Sequence, residues 1–115
     1  MEAIDRQKVK VWVPEGITFR AMVITDRPTG DVLGVAGVVH DLPYYAFSEM
    51  SDELRAYPKV IMHFIKEFKE FLRKYYVSVY AYAAPYENNA DKCLHMAGFK
   101  YLYNDMQGEV YKWTR

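Results

Sequence analysis

Three polar side chains near the ends of two predicted strands are the best candidates for proton transfer. His40 and Asp41 directly follow the apolar run Val32–Val39, and Glu49 lies near the end of the run Tyr44–Met50. An imidazole titrates near neutral pH, which makes His40 the first candidate for a general base and Glu49 the second. The alternatives are a loop histidine beside a turn-forming aspartate, and a glutamate that only faces solvent.

Other reactive side chains give weaker signals. Tyr80 and Tyr82 could donate a proton to a leaving group, with aromatic packing as the alternative role for both. Cys93 and His95 are two residues apart in a predicted helix, so their side chains point in different directions and form no nucleophile–base pair. The three histidines lack the spacing of metal ligands, and we predict no metal site.

Size and charge restrict the classes of function. A chain of 115 residues predicts a single domain over residues 1–115. Fifteen basic and fifteen acidic residues give a formal net charge of zero, which argues against nucleic acid as a partner. No apolar run approaches the roughly 20 residues that span a bilayer. The N-terminus is charged and Cys93 is the single cysteine. We therefore expect no membrane partner and a cytoplasmic or other intracellular location.

The first half of the chain predicts strands. Alternating or apolar β-branched runs, separated by Pro, Gly and Asp, predict four of them: Lys8–Val13, Thr18–Thr25, Val32–Val39 and Tyr44–Met50. The segment Asp26–Asp31 has hairpin chemistry. The third run is apolar throughout, so we expect it to be central and covered on both faces. Ser51–Tyr57 is a loop or a single helical turn.

From Pro58 the pattern becomes helical. Charged residues lie opposite an apolar stripe made of Val60, Ile61, Phe64, Ile65, Phe68, Phe71, Leu72 and Tyr75. A strand, a short helix that ends before Gly98, and a hairpin around Asn104–Gly108 follow: Val77–Ala84, Ala90–Ala97, Lys100–Tyr103 and Glu109–Thr114. The order β-β-β-β-α-β-α-β-β predicts an α+β fold with a mixed sheet and a crossover helix.

This order and three local patterns resemble the GNAT superfamily of N-acetyltransferases, over most of the chain from Thr18 to Arg115. Gly30–Gly37 is similar to the family's third strand with its GxxVGxA-like pattern. Ala90, Gly98 and Phe99 match the spacing of the family's NxxAxxxYxxxGF segment. The helix from Pro58 is similar to the family's helix whose N-terminus receives the pyrophosphate of coenzyme A. The combination also looks like divergent GNAT-like proteins of tailed phages. The resemblance implies acetyl-CoA as cofactor, bound where Tyr44–Met50 and Val77–Ala84 lie side by side and splay apart.

The cofactor loop departs from the family pattern. Family members carry Q/R-x-x-G-x-G/A at the start of the crossover helix, where glycines let backbone N–H groups approach the pyrophosphate. Here Pro58, which has no N–H, and Val60 stand in place of the glycines. A lost donor to a charged group costs roughly 1.5–3 kcal/mol, so we expect weaker binding. The resemblance implies these cofactor contacts: Met50, Arg55, Ala56, Tyr57, Lys59, Val60 and Asn88.

Two further departures concern the reaction. Leu94 stands where many GNAT enzymes have the tyrosine that protonates the leaving thiolate. Asp41, in contrast, lies near the position of a catalytic carboxylate in some members. The family's asparagine position falls on Glu87, with Asn88 just after it. Only Pro14–Ile17 joins the first two predicted strands, where the family usually has two helices that shape the acceptor site.

Two functions are therefore open. The first is an acyl-CoA-dependent N-acyltransferase that acts on a small amine or a protein amine. The second is a non-catalytic GNAT-like module that binds a protein, as in phage assembly or host takeover. The missing acceptor helices and the aromatic-rich closing hairpin also suggest a homodimer.

Overall fold

The computed structural model describes residues 16–26, 28–83 and 90–115, and the predicted strand Lys8–Val13 lies outside them. The described residues form these elements: β1 (Phe19–Thr25), β2 (Val32–Val39), β3 (Tyr45–Met50), α1 (Asp52–Arg55), α2 (Pro58–Tyr75), β4 (Ser78–Tyr82), α3 (Ala90–Met96), β5 (Lys100–Asp105) and β6 (Gly108–Thr114). The bounds agree with the predicted ones to within two residues, and Ser51–Tyr57 contains the single helical turn α1.

The strands form one mixed sheet in the order β1-β2-β3-β4-β6-β5. Only β3 and β4 are parallel, and every other neighbouring pair is antiparallel. Parallel neighbours need a crossover connection, which α2 provides. β2 lies between β1 and β3 and is buried from Gly34 to Val38, as its continuous apolar sequence predicts. The predicted mixed α+β fold is confirmed.

The main core lies on the face of the sheet that α2 and α3 cover. The buried residues of α2 are Phe64, Ile65, Phe68, Phe71 and Leu72. They pack against inward-facing strand residues, among them Val38, Val79 and Trp113, and against Phe99 after α3. Leu72, Val38 and Val79 are fully buried, so the crossover helix and the two halves of the sheet share one core. Burial of apolar area of this kind is the main stabilising term of such a fold.

The ends of α2 are more exposed than its apolar stripe predicts. Val60 and Tyr75 keep 43% and 38% of their surface accessible. A helix of 18 residues is about 27 Å long, whereas the six-residue strand β3 spans about 20 Å. The helix is therefore longer than this strand, and its two ends are less covered than its middle. On the exposed side of the helix, Glu70 pairs with Arg73 at 3.4 Å.

Local capping sets the ends of the shorter helices. The Ser51 hydroxyl accepts a hydrogen bond from the Leu54 N–H at 3.2 Å and so caps α1. Gly98 has φ of +97° and follows α3, where its N–H donates to the His95 carbonyl. Its Cα lies against Trp113, since an added Cβ would be 3.1 Å from that ring.

The closing hairpin is tighter than predicted. β5 continues to Asp105 and β6 begins at Gly108, so the loop is Met106-Gln107 rather than Asn104–Gly108. The Asp105 carboxylate accepts a hydrogen bond from the Gln107 N–H at 2.7 Å, which fixes this short turn. A register shift between Tyr101 and Tyr103 places one bulge in β5.

Two buried glycines of β2 permit close packing of different kinds. A Cβ at Gly37 would be 2.5 Å from the Arg20 carbonyl oxygen and 2.7 Å from the Ala21 Cβ on β1. A Cβ at Gly34 would instead be 2.8 Å from the Leu54 Cδ2, the end of a flexible side chain of α1. Backbone cannot move away without shifting a strand, whereas a leucine side chain can rotate.

We expect Gly37→Ala to lower the free energy of unfolding by about 1–3 kcal/mol, because its methyl group would push β1 away from β2. Gly34→Ala is the matched control and should cost clearly less. Urea denaturation of the three proteins measures both values. Equal losses in the two variants would contradict the close approach of β1 and β2 at Gly37.

Candidate functional site

β3 and β4 lie side by side but separate after one pair of residues. Tyr45 pairs with Tyr80, and the Tyr80 N–H donates to the Tyr44 carbonyl at 2.9 Å. From Tyr45 to Met50, β3 stays paired with β2 along its other edge. No further pair joins the described residues of β3 to β4. The described parts of the two strands are therefore joined at Tyr45 and unpaired beyond it. We call the unpaired gap along β3 from Tyr45 to Met50 the slot, with Tyr45 at its closed end.

The slot opens because β4 follows β6 instead of β3. β4 pairs with β6 from Ser78↔Thr114 to Tyr82↔Val110. The Ala83 N–H then donates to the Glu109 carbonyl at 3.1 Å, which continues the same ladder. A twisted strand that keeps its pairing on one edge diverges from the neighbour on its other edge. The loss of pairing after Tyr45↔Tyr80 agrees with the predicted splay of the two parallel strands.

The start of α2 follows the Met50 end of β3 by way of α1 and offers few backbone donors. Pro58 is the first helical residue and has no N–H. The N–H groups of Val60 and Ile61 both donate to the Tyr57 carbonyl, at 3.1 and 3.2 Å. In the described first turn of α2, the Lys59 N–H is thus the backbone donor left for a ligand.

The side chains around this helix start are exposed and basic. Arg55 contacts the Asp52 carboxylate at 2.8 Å, and Lys59 is exposed one residue into α2. Ala56 ends α1, and Tyr57, 58% exposed, precedes Pro58. The predicted cofactor residues Arg55, Ala56, Tyr57, Lys59 and Val60 thus cluster in one exposed segment, with Met50 at the adjoining end of β3. Asn88 lies outside the described residues.

Three tyrosines gather at the closed end of the slot, on the face opposite α2. The rings of Tyr45 and Tyr82 stack at 5.7 Å, and Tyr45 and Tyr80 are 6.0 Å apart. The Tyr82 hydroxyl donates to the Asp105 carboxylate at 2.6 Å. This bond raises the pKa of Tyr82 and lowers the pKa of Asp105. The Lys112 ammonium lies over the Tyr80 ring at 5.3 Å.

Sequence reasoning identified Tyr80 and Tyr82 in this cluster but not Tyr45 or Asp105. Tyr45 begins a strand that is not adjacent in sequence, and Asp105 has the appearance of an ordinary turn residue. Alternation places Tyr80 and Tyr82 on one face and the buried Val79 and Ala81 on the other. The raised pKa of Tyr82 makes it a poorer proton donor than a free tyrosine.

His40 lies near the closed end of the slot and is engaged at both ring nitrogens. Its Nε2 is 2.5 Å from the Tyr76 hydroxyl, and its Nδ1 is 3.3 Å from the Thr18 hydroxyl. Tyr44 packs against the imidazole at 5.4 Å. Burial and then the charge of Arg20 lower the pKa of His40, and burial raises the pKa of Tyr76 to about 12. His40 thus joins β1, β2 and the end of α2.

The other predicted site residues lie apart. Asp41 is exposed, and its carboxylate accepts a hydrogen bond from the Leu42 N–H at 3.0 Å. Glu49 is exposed on β3 opposite Val35, on the face away from α2 and beside the open part of the slot. The structure thus places His40 and Asp41 at one end of β3 and Glu49 near the other.

Leu94 is partly buried and packs against the main core, as does Cys93. Among residues 16–26, 28–83 and 90–115, no three His, Cys, Asp or Glu side chains gather as metal ligands. Within the same residues, no helix has the length and apolar character needed to cross a membrane.

Comparison with known proteins identifies this architecture. An acetyltransferase from Agrobacterium tumefaciens str. C58 superposes with a TM-score of 0.61 at 13% identity. A protein assigned as an acetyltransferase from Sphaerobacter thermophilus DSM 20745 gives 0.60 at 12%. AAC(6')-Ib, in complex with paromomycin and acetyl-CoA, gives 0.62 at 13%. The chain has the GNAT fold.

The likeness covers most of this chain but a smaller share of its neighbours. It extends over 84%, 92% and 84% of this chain, and over 61%, 76% and 65% of the Agrobacterium, Sphaerobacter and AAC(6')-Ib chains. No protein-family model and no curated protein matches the sequence. At 12–13% identity the comparison establishes the GNAT fold, while activity and substrate have to be argued from this chain's own residues.

The environment of His40 predicts a pH dependence of stability. Because folding lowers the pKa of His40 below its ordinary value of 6.5, the unfolded chain takes up this proton at higher pH than the folded chain. Stability should therefore fall as the pH drops from 6.5 toward the lowered pKa. Urea denaturation between pH 5 and 8 measures this slope. His40→Gln should flatten this slope, and a slope unchanged by His40→Gln would refute the assignment.

Proposed function

We propose that this GNAT-fold chain transfers an acyl group from acyl-CoA to an amine, with the thioester arm of the cofactor in the slot between β3 and β4. The observation that carries the proposal is the single junction Tyr45↔Tyr80, beyond which no pair joins the described residues of the two parallel strands. The fold likeness to two acetyltransferases and to AAC(6')-Ib with acetyl-CoA supports it.

The chain fits the arm of the cofactor better than its phosphates. Peptide groups alternate along a strand, so those of Ser48 and Met50 face the slot as the Tyr44 carbonyl faces β4. They would hold the amide groups of the arm. The side chains of Arg55 and Lys59, with the Lys59 N–H, would hold the phosphates by charge more than by backbone hydrogen bonds. Bound acyl-CoA supplies the acyl group in activated form.

Glu49 is the candidate base that best fits this arrangement. An ammonium must lose a proton before its nitrogen can attack a thioester carbonyl. Glu49 is exposed beside the open slot, whereas the two nitrogens of His40 already have partners. We therefore place Glu49 ahead of His40 in this role. The acceptor is a small amine or a protein amine, and a cytoplasmic location stays a prediction.

A specific observation favours a second function, a non-catalytic GNAT-fold module that binds a protein, encoded by a phage and active in assembly or on a host protein. Pro58 and the bonds to the Tyr57 carbonyl remove all but one backbone donor from the described first turn of α2. Leu94, which cannot donate a proton, packs against the core where the family pattern has its tyrosine. Binding of acyl-CoA separates the two functions.

Acetyl-CoA should raise the melting temperature of the protein. A ligand at 100 times its Kd stabilises the folded state by about 2.7 kcal/mol, which corresponds to several degrees in Tm. Arg55→Ala and Lys59→Ala should each reduce the shift, because each removes a positive charge at the start of α2. Lys66→Ala, in the exposed middle of the same helix, is the matched control and should keep it.

Absence of any shift at about 1 mM acetyl-CoA would overturn the acyltransferase proposal and favour the protein-binding module. A shift that Arg55→Ala, Lys59→Ala and Lys66→Ala all preserve would place the ligand elsewhere.

Glu49→Gln should lower kcat by about 10²-fold or more, because an amide cannot accept the proton of the attacking amine. Its effect on the acetyl-CoA melting shift should be small, since Glu49 lies outside the phosphate-binding segment. Release of free thiol from acetyl-CoA in the presence of a panel of amines measures the rate. Glu70→Gln on the exposed face of α2 is the control; an equal loss in both variants, or none in Glu49→Gln, would exclude Glu49 as the base.

A further inference from the structure

β5 is an edge strand with an uncovered apolar surface. It pairs with β6 on one side, and no described strand lies on the other. All of Lys100–Asp105 is exposed, and Tyr101, Leu102 and Tyr103 keep 48%, 45% and 51% of their surface accessible. An edge of this kind presents unpaired N–H and C=O groups to a further strand. Natural proteins usually protect such an edge, so its apolar character calls for a partner.

The two ends of β5 carry opposite charges on one face of the sheet. Lys100 pairs with Lys112, and Asp105 pairs with Gly108. Partners across an antiparallel pair share a face, and Lys112 and Gly108 are an even number of residues apart on β6. Lys100 and Asp105 therefore face the same side. In a regular strand, two residues five positions apart would face opposite sides of the sheet. The bulge between Tyr101 and Tyr103 adds one residue and so brings Lys100 and Asp105 to the same side.

We propose that the chain forms a two-fold symmetric dimer by antiparallel pairing of β5 with β5 of a second copy. Reversal of an identical strand sets Lys100 against Asp105 of the partner subunit, and the two-fold axis repeats this pair at the other end. In the same register Leu102 lies opposite Tyr103 of the partner subunit, and Tyr101 lies opposite Asn104 of the partner subunit. An isologous contact must be self-complementary in this way.

The charges favour a second copy over a foreign peptide. The pattern from Lys100 to Asp105 is its own complement when reversed, which a chance partner would have to match. The formal net charge of zero also removes the long-range repulsion that otherwise keeps identical chains apart. The bond from Tyr82 keeps the Asp105 carboxylate ionised and oriented.

The dimer should be weak and concentration-dependent. One strand pair buries less than the roughly 1,200–2,000 Å² of a stable interface. We expect dissociation in the range of about 1–100 μM, where the proposal can be tested directly. The proposal does not depend on acyl-CoA, so it stands or falls separately from the proposed function.

Sedimentation velocity over a range of concentrations provides the test. The unmodified protein should shift from monomer to dimer as its concentration rises. Lys100→Asp sets like charges opposite each other at both ends, and so does Asp105→Lys; each should abolish the shift. The double variant Lys100→Asp/Asp105→Lys restores opposite charges and should recover the dimer. Lys66→Asp, on the exposed face of α2, is the control and should dimerise normally.

A protein that stays monomeric up to several hundred micromolar would overturn the proposal, and so would single variants that still dimerise. Circular dichroism establishes that each variant is folded. Asp105 also fixes the turn after β5, so Asp105→Lys could unfold the protein. If Asp105→Lys is unfolded, Leu102→Lys takes its place in the test. Lys100→Asp and Leu102→Lys must then both give monomers, and a dimer in either contradicts the assignment to β5.

Discussion

Helix packing, and not the hydrogen-bond ladder, holds β3 and β4 in parallel. A single residue pair, Tyr45↔Tyr80, joins the described parts of the two strands, which cannot by itself keep them side by side. The buried face of α2 does so, because its phenylalanines and Leu72 share one core with Val38 on one side of the junction and Val79 on the other. The sheet can thus open along the junction without losing its stability. Burial under α2 thus keeps the sheet together at the place where the pairing of β4 with β6 draws β4 away from β3.

At the start of α2, residues that stabilise the helix remove donors that an anion would need. Pro58 begins the helix efficiently, since a first-turn N–H has no intrahelical partner in any case. The same proline removes a donor that an anion at the helix N-terminus would use, and the Tyr57 carbonyl occupies two more. Helix stability and anion binding therefore compete for one turn of backbone. Arg55 and Lys59 can offset the loss with charge, which binds phosphates with less geometric selectivity than a cradle of N–H groups.

The long helix, the central strand and the alternation of β4 follow from period and composition, because each is decided by burial over many residues. That β3 and β4 are adjacent strands was implied only by the family resemblance. Contacts between residues far apart in the sequence could not be predicted from local patterns. His40 and Tyr76 are 36 positions apart and meet because α2 ends beside the end of β2. Tyr82 and Asp105 meet through a hairpin whose exact length decides which side chain faces the tyrosine. Such pairs depend on element lengths, which local patterns determine to within a few residues.

β6 connects the two surfaces to which functions are assigned here. On one edge it keeps β4 in its ladder as far as Ala83, and thereby draws β4 away from β3 and opens the slot. On its other edge it carries β5, whose bulge sets the face on which Lys100 and Asp105 lie. Asp105 bonds to Tyr82 at the closed end of the slot, two strands away from the free edge. A partner seated on β5 would therefore lie next to the carboxylate that accepts the hydrogen bond of the Tyr82 hydroxyl.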